Sequence, residues 1–345
     1  MDSGLTDDLS LNVVKRKRLS GLVDFAMRLV REKPLGTLGA VITLILLFAG
    51  IFADFIAPYG LNETQLAPAL QPPSADFWLG TDYVGRDLFS RVIFGARISV
   101  IIGLSATMLS TLISVAIGVP SGYFGGKFDI VIQRFVDAWM CLPGLVLMMV
   151  IISMIGPGML TIVIVLGVST GIVGSRIIRG AVINIKENVY VGTAVVAIGC
   201  SRSRIFARHI LPNIMAPIII LFSIRVPNVI LAEAALSFLG FGIPPPTPSW
   251  GGMLSGPGRQ YMFRAPWMVI WPGLALSIVV YGINMFGDAV RDLLDPRLIG
   301  GVGRYGVKVN RKILRKGELK LQADMTALKV EQNDNPEAVG KKLLE

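Results

Sequence analysis

The sequence predicts an all-α, polytopic membrane protein with six transmembrane helices and both termini on the cytoplasmic side. Three observations carry this prediction. Hydrophobic residues make up 53% of the chain and charged residues only 16%, with a mean hydropathy of +0.64. A soluble chain of 345 residues would fold as two or three domains and need more polar surface. The apolar residues also fall in uncharged runs close to the 20 residues that cross about 30 Å of hydrocarbon. Finally, Lys and Arg concentrate in the two tails and one internal loop, the bias that sets membrane orientation. That clustering excludes nucleic acid as the reason for the net charge of +10.

Each element follows in order. Residues 1–33 form an N-terminal cytoplasmic tail. In it the basic cluster Lys15-Arg16-Lys17-Arg18 precedes Leu19, Leu22, Val23, Ala26, Leu29 and Val30 at helical spacing. That pattern is an amphipathic helix on the membrane lipid surface. A long polar start with no small-residue cleavage site after the first apolar run does not read as a signal peptide. The unit 34–57 holds the first span, uncharged over 35–53, and Asp54 marks its outer end. Residues 58–96 form an external loop, Pro-rich up to Trp78 and then Leu79-Gly80-Thr81-Asp82-Tyr83-Val84-Gly85-Arg86-Asp87. Asp82 and Asp87 fit no EF-hand spacing and have no His nearby, so they read as loop-structuring acids.

Residues 97–292 form the core of five further spans. The second, 98–119, ends at Gly118, Pro120 and Gly122. Gly125-Gly126-Lys127 is then a turn and not a phosphate loop, because Ser121 stands where its first Gly belongs, so no nucleotide or other cofactor is expected. Arg134 and Asp137 open the next helix. Residues 138–175 carry no charge over about 38 positions. As one helix they would reach about 57 Å, nearly twice the hydrocarbon thickness, so Gly156-Pro157-Gly158 divides them into two spans. Arg176, Arg179 and Lys186 return the chain to the inside. The loop 184–213 is basic, the fifth span covers 214–236 and the sixth 267–287, and residues 293–345 form a cytoplasmic tail. Between the last two spans, Pro244-Pro245-Pro246-Thr247-Pro248 makes a stiff extended piece. Cys141 and Cys200 both face the reducing side, so no disulfide is expected. One His, no nucleophile–base set and no metal-ligand cluster argue against an enzyme.

The 184–213 loop carries a resemblance. Thr193-Ala194-Val195, then Gly199, then Arg208-His209-Ile210-Leu211-Pro212-Asn213 is similar to the cytoplasmic loop of permease subunits of binding-protein-dependent ABC importers, in the form of the peptide branch. That family's signature has Glu-Ala-Ala where this chain has Thr193-Ala194-Val195, so the acid is missing. The segment Ser237-Phe238-Leu239-Gly240-Phe241-Gly242-Ile243 with its following prolines also resembles the external segment of peptide-importer permeases. The resemblance spans roughly residues 34–297.

It implies the type I ABC importer permease fold in a bacterial or archaeal cytoplasmic (inner) membrane. The implied partners are a second permease subunit, two ATP-binding ATPase subunits and an extracytoplasmic substrate-binding protein. Thr193, Ala194, Gly199, Ser201, Arg208, Leu211 and Pro212 would form the ATPase-coupling loop, with Gly199 at a close helix contact. Peptides would cross by alternating access. The same importer class carrying nickel chelates, glutathione or another small solute is the alternative. A gradient-driven secondary transporter is disfavoured, since the spans offer only Asp54 and Glu233 as carboxylates, both near span ends.

Arg225 and Glu233 are the candidate pathway residues. Arg225 lies near mid-depth of the fifth span, where a lone guanidinium costs roughly 2.5–3.5 kcal/mol or more. Glu233 is eight residues away, about 12 Å along the helix axis and beyond a direct ion pair. Arg225 must therefore meet water, a carboxylate from elsewhere in the complex, or backbone carbonyls. Pro227 frees one such carbonyl near Ser223. Two roles follow: contact with the carboxyl end of a passing peptide, or a structural partner on the second permease. The topology itself is testable by cysteine labelling from outside, which should reach positions 74 and 247 but neither 203 nor 332. External labelling at 203 would overturn the six-span order.

Overall fold

The computed structural model describes residues 21–186 and 211–294, and these residues are helical apart from their connections. In order they are α1 (Gly21–Glu32), α2 (Pro34–Ile51), α3 (Ala53–Ile56), α4 (Leu88–Phe124), α5 (Gly126–Met140), α6 (Gly144–Ile155), α7 (Met159–Lys186), α8 (Leu211–Phe238), α9 (Trp250–Leu254), α10 (Gly256–Tyr261) and α11 (Trp267–Leu294). Among them α2, α4, α7, α8 and α11 are long and apolar enough to cross a membrane. The pair α5–α6, bent by 85° at its joint, makes a sixth span if counted as one. The bundle has a loop end, with residues 57–87 and 239–266, and a connector end, with Phe124, Lys186 and Leu211.

Three helices depart most from the expected bounds. α4 begins at Leu88, ten residues before the expected start of the second span, because Asp87 caps it: the Asp87 carboxylate accepts from Ser90 N at 2.8 Å. At 37 residues it runs about 55 Å, so it projects beyond the hydrocarbon. The apolar run 138–175 does divide at Gly156, which has φ 103°, but its first half is no straight span. α5 starts at Gly126, so Arg134 and Asp137 lie inside it rather than opening a helix. α6 has only 12 residues, about 18 Å, because Pro143 supplies no N–H and Gly144 follows it.

With lipid as apolar as Leu, helices associate through close packing of small residues. The α4–α7 contact shows this. Cβ atoms placed on Gly118 and Gly122 of α4 would overlap α7 backbone at Ser175 and Arg179. On Gly167 and Gly171 they would overlap Leu109 and Ile113 of α4. Hydroxyls take up bonds across the same seam: Ser114 donates to Gly171 O at 2.9 Å, and Thr170 to Ser110 Oγ at 2.9 Å. A second close pair joins α2 and α11 at Gly39 and Gly282. α1 packs Leu29 and Phe25 against Ala289 and Leu293 of α11, while Val23, Met27 and Val30 stay exposed. Of the apolar stripe expected over residues 22–30, Leu29 thus lies on the bundle while Val23, Ala26 and Val30 stay exposed.

Buried side chains gather in three large groups along the bundle. Ile102, Ile152, Ile162, Leu166 and Leu236 join α4, α6, α7 and α8. Val119, Ile178, Val182, Ile214 and Leu221 fill the connector end, and Leu46, Ile230, Trp250 and Ile283 fill the other side. Pro120, Pro217, Pro227 and Pro272 sit inside helices, tolerated because neighbouring helices resatisfy freed backbone groups. Gly118→Val should overpack the α4–α7 seam, costing roughly 1–3 kcal/mol. The expected outcome is a lower unfolding midpoint in detergent. Gly180→Val on α7, where an added Cβ meets nothing within 4 Å, should leave the midpoint near wild type.

Candidate functional site

The expected coupling residues Thr193, Ala194, Gly199, Ser201 and Arg208 lie outside the described residues. Leu211 and Pro212 begin α8. The two helices that carry the loop are held side by side at its roots: Val182 and Ile185 of α7 pack with Ile214 and Ile218 of α8.

Arg225 is half-buried on α8, and its guanidinium is seated between α4 and α7. Nη1 donates to Ser110 Oγ at 2.6 Å and to the carbonyl of Thr170. Gly174 makes the space, since a Cβ there would overlap the guanidinium and the Ser114 hydroxyl. The expectation of backbone carbonyls as partners therefore holds in kind, but the particular carbonyl differs. Ser223 O is covered by α11, where a Cβ on Gly287 would stand 3.1 Å from it. Arg225 also lines a cavity of about 450 Å³ together with Trp139, Leu142, Thr170, Ile177 and Asn228. A cation seated on neutral oxygens beside a cavity can offer its remaining N–H donors to an anion.

Glu233 does not share that cavity. It is 1% exposed and accepts from Ser237 Oγ at 2.6 Å, with Ser249 as its second hydroxyl neighbour. Ser249 in turn caps α9 by accepting from Gly252 N at 3.1 Å. Trp250 donates to Val92 O at 3.0 Å and lies over Gly95, and Gly251 lies against Ala234. Glu233 thus fastens the segment 249–254 into the bundle, apart from the cavity that Arg225 lines, in keeping with the axial separation expected of the two residues.

The loop end is held by a second polar cluster. Asp82 accepts from Val84 N at 2.8 Å, Arg86 N at 3.0 Å and Arg86 Nε at 2.6 Å, and pairs with Arg91 Nε at 3.6 Å. Arg91 also donates to Pro246 O at 3.4 Å, and Trp267 Nε1 to Thr81 O at 3.2 Å. Asp82 and Asp87 are committed to turn and helix-cap bonds, the structuring role read for them. Gly80 and Gly85 take φ of 81° and 76° in the same turn, where other residues would be strained.

At the connector end the sequence reading missed a set of ion pairs. Arg179 binds Asp129 in bidentate fashion, Nε to Oδ1 at 2.6 Å and Nη2 to Oδ2 at 2.5 Å. Arg176 pairs with Asp137. Asp129 also accepts from Ser121 Oγ at 2.5 Å, and Lys186 donates to Tyr123 O at 2.9 Å. Asp129 and Asp137, eight residues apart on one helix face, were the available signal, but the expected start of the helix at Arg134 hid it.

Long apolar helices, polar clusters at both ends and the Arg225 guanidinium held on neutral oxygens beside a cavity are features suited to a membrane transport component. The chain belongs to the family of binding-protein-dependent transport system inner membrane components, whose model matches residues 114–300. Residues 24–73 match the N-terminal TM domain of oligopeptide transport permease C. The chain is 37% identical to the oligopeptide transport system permease protein OppC of Bacillus subtilis (strain 168), over 83% of this chain and 92% of that one. It is 36% identical to the dipeptide transport system permease protein DppC of Alkalihalophilus pseudofirmus, over 79% and 89%. To the di/tripeptide transport system permease protein DppC of Pseudomonas aeruginosa it is 39% identical, over 76% and 88%. It is a multi-pass inner-membrane protein, and its family is a transport component rather than a catalyst.

Proposed function

We propose that this chain is one of two permease subunits in an ATP-driven importer that moves dipeptides or oligopeptides across the cytoplasmic membrane by alternating access. The observation that carries the substrate class is the similarity to oligopeptide and dipeptide permeases over about four-fifths of the chain. In this reading both termini and the 184–213 loop are cytoplasmic, which puts the loop end outside and the connector end inside. An extracytoplasmic binding protein delivers peptide to the loop end. Of two separate ATPase subunits, one docks on this loop through Thr193, Ala194, Gly199, Ser201, Arg208, Leu211 and Pro212, and the other on the second permease. Their closure on ATP moves α7 and α8, whose ends root the loop. The bundle then needs two states that peptide and ATP bias differently.

Arg225 is the pathway group in this reading. A peptide backbone has an anionic carboxyl end, and the guanidinium beside the cavity presents charge-assisted donors to it. Glu233 serves the same cycle from a distance, by holding the external segment on α8. Reconstitution in liposomes tests the function: radiolabelled dialanine should accumulate only with the ATPase subunits, the binding protein and ATP. Accumulation driven by a proton or sodium gradient alone would overturn it. Arg225→Gln should lower that uptake about tenfold, the loss of one charge-assisted contact of roughly 1.5 kcal/mol. Complex assembly should stay intact, and Gly174→Val should reproduce the loss by expelling the guanidinium. Loss of assembly in both variants would assign Arg225 to a subunit contact instead.

A further inference from the structure

The ion pairs between α5 and α7 have no part in the seat of Arg225, yet they connect its cavity to the root of the coupling loop. α7 ends at Lys186, where that loop begins. Four residues within its last eleven bind the neighbouring elements. Arg179 and Arg176 bind Asp129 and Asp137 of α5, Lys186 binds the carbonyl of Tyr123, and Val182 packs in the connector-end group. Asp129 is further held by Ser121 of α4, to which Gln133 also donates at 3.0 Å. Asp129, Gln133, Val136, Asp137 and Met140 fall on one face of α5, and Phe128, Val131 and Phe135 on the opposite, exposed face. Along that polar face α5 is therefore fastened to α7 at two points eight residues apart, about 12 Å along its axis.

The far end of α5 is different. Trp139, Met140 and Leu142 form a wall of the cavity that Arg225 lines, and the chain bends by 85° there before α6. The joint is loosely packed: residues 141–144 are exposed, and a Cβ on Gly144 would meet nothing within 4 Å. Few contacts and exposed backbone are the marks of a segment that opens locally. One end of α5 is thus pinned to the helix that enters the loop, and the other is a free joint at the cavity.

We propose that α5 is a strut: the Asp129–Arg179 and Asp137–Arg176 pairs transmit movement of the loop root to the 141–144 joint, which re-sets the cavity wall opposite Arg225. The proposal rests on the docking role of the 184–213 loop. The pairs act as positioning contacts, since neither touches the cavity. A bidentate, partly buried guanidinium–carboxylate pair fixes orientation as well as distance, which a strut requires. Coupling of this kind needs a demonstrated two-state element, and the joint angle is the element to measure.

The test uses the complete transporter with its partner subunits in liposomes, in a background with Cys141 and Cys200 replaced by Ser. Nitroxides at Val131→Cys and Met154→Cys, both exposed, span the joint. Their separation should change between the nucleotide-free and ATP-bound complex, while a pair at 160 and 177 within α7 stays constant. Asp129→Asn should suppress the change and lower dialanine uptake per ATP hydrolysed by roughly 2- to 30-fold. The exchanged pair Asp129→Arg with Arg179→Asp should recover most of both. An unchanged 131–154 separation in the active wild type would overturn the strut, even if the variants failed to assemble. So would wild-type uptake per ATP in Asp129→Asn. Gly199→Asp separates the two readings: a joint that still moves with ATP in that variant contradicts loop docking, while a joint that is still only in the Asp129 and Gly199 variants supports both.

Discussion

Close approach of α4 to α7 is the constraint on which the other features depend. In hydrocarbon there is no hydrophobic gain from bringing two apolar helices together, so backbone proximity and hydrogen bonds across the seam must hold them. Gly118, Gly122, Gly167 and Gly171 permit that proximity, and the hydroxyls of Ser110, Ser114 and Thr170 supply the bonds. The same small residues leave the room that Arg225 fills at Gly174. A seam lined by larger side chains would pack through their tips and offer no place for a guanidinium. The seat for the charge and the spine of the bundle are thus one set of contacts.

Each charge within the helices is resolved by a different local chemistry. Arg225 uses a hydroxyl and a carbonyl from two other helices, which seats its Nη1 without cancelling its charge. Glu233 uses the hydroxyl of Ser237 one turn later and lies next to Ser249, and so binds a loop segment to a span. The Asp82 cluster sets one carboxylate against Arg86 and Arg91, which also line a cavity of about 340 Å³, and orders a turn at the loop end. Arg225 differs in taking neutral oxygens as its partners inside a span, which leaves its charge uncompensated beside the cavity it lines.

Composition and run length made the helical membrane fold legible, and the Gly156-Pro157-Gly158 division could be read from an impossible helix length. The joint at 141–144 was marked only by Pro143-Gly144, a breaker that hydropathy passes over because the uncharged run looks continuous across it. The early start of α4 was written in Asp87 followed by Ser90, a cap pattern that lies outside the apolar run. Arg225 stood out as a charge in a span, but its seat could not be deduced. Ser110, Thr170 and Gly174 lie 51 to 115 residues away, and pairing them requires the register of three helices. The Arg176 and Arg179 side chains were legible only as positive charge on one side of a membrane. Their partners depended on where α5 begins, which its Gly-Gly start concealed.

The described helices differ in how tightly each is tied. α2 and α11 meet at Gly39 and Gly282, and Lys33 binds Asp292, so this pair is joined along its length. α9 is anchored by Trp250 between α4 and α8 at the loop end. α6 has a single fully buried residue, Ile152, with Met148, Met149 and Ile151 half-buried against the same group, while Leu145, Val146, Val150, Met154 and Ile155 are exposed. Entered through an exposed joint and closed by a glycine at φ 103°, α6 has the local features of a segment that changes direction at low cost. It stands next to the cavity that Arg225 lines, through Met148. In the proposed cycle a lightly packed helix thus stands where a passing solute would need room, beside the guanidinium proposed to meet it.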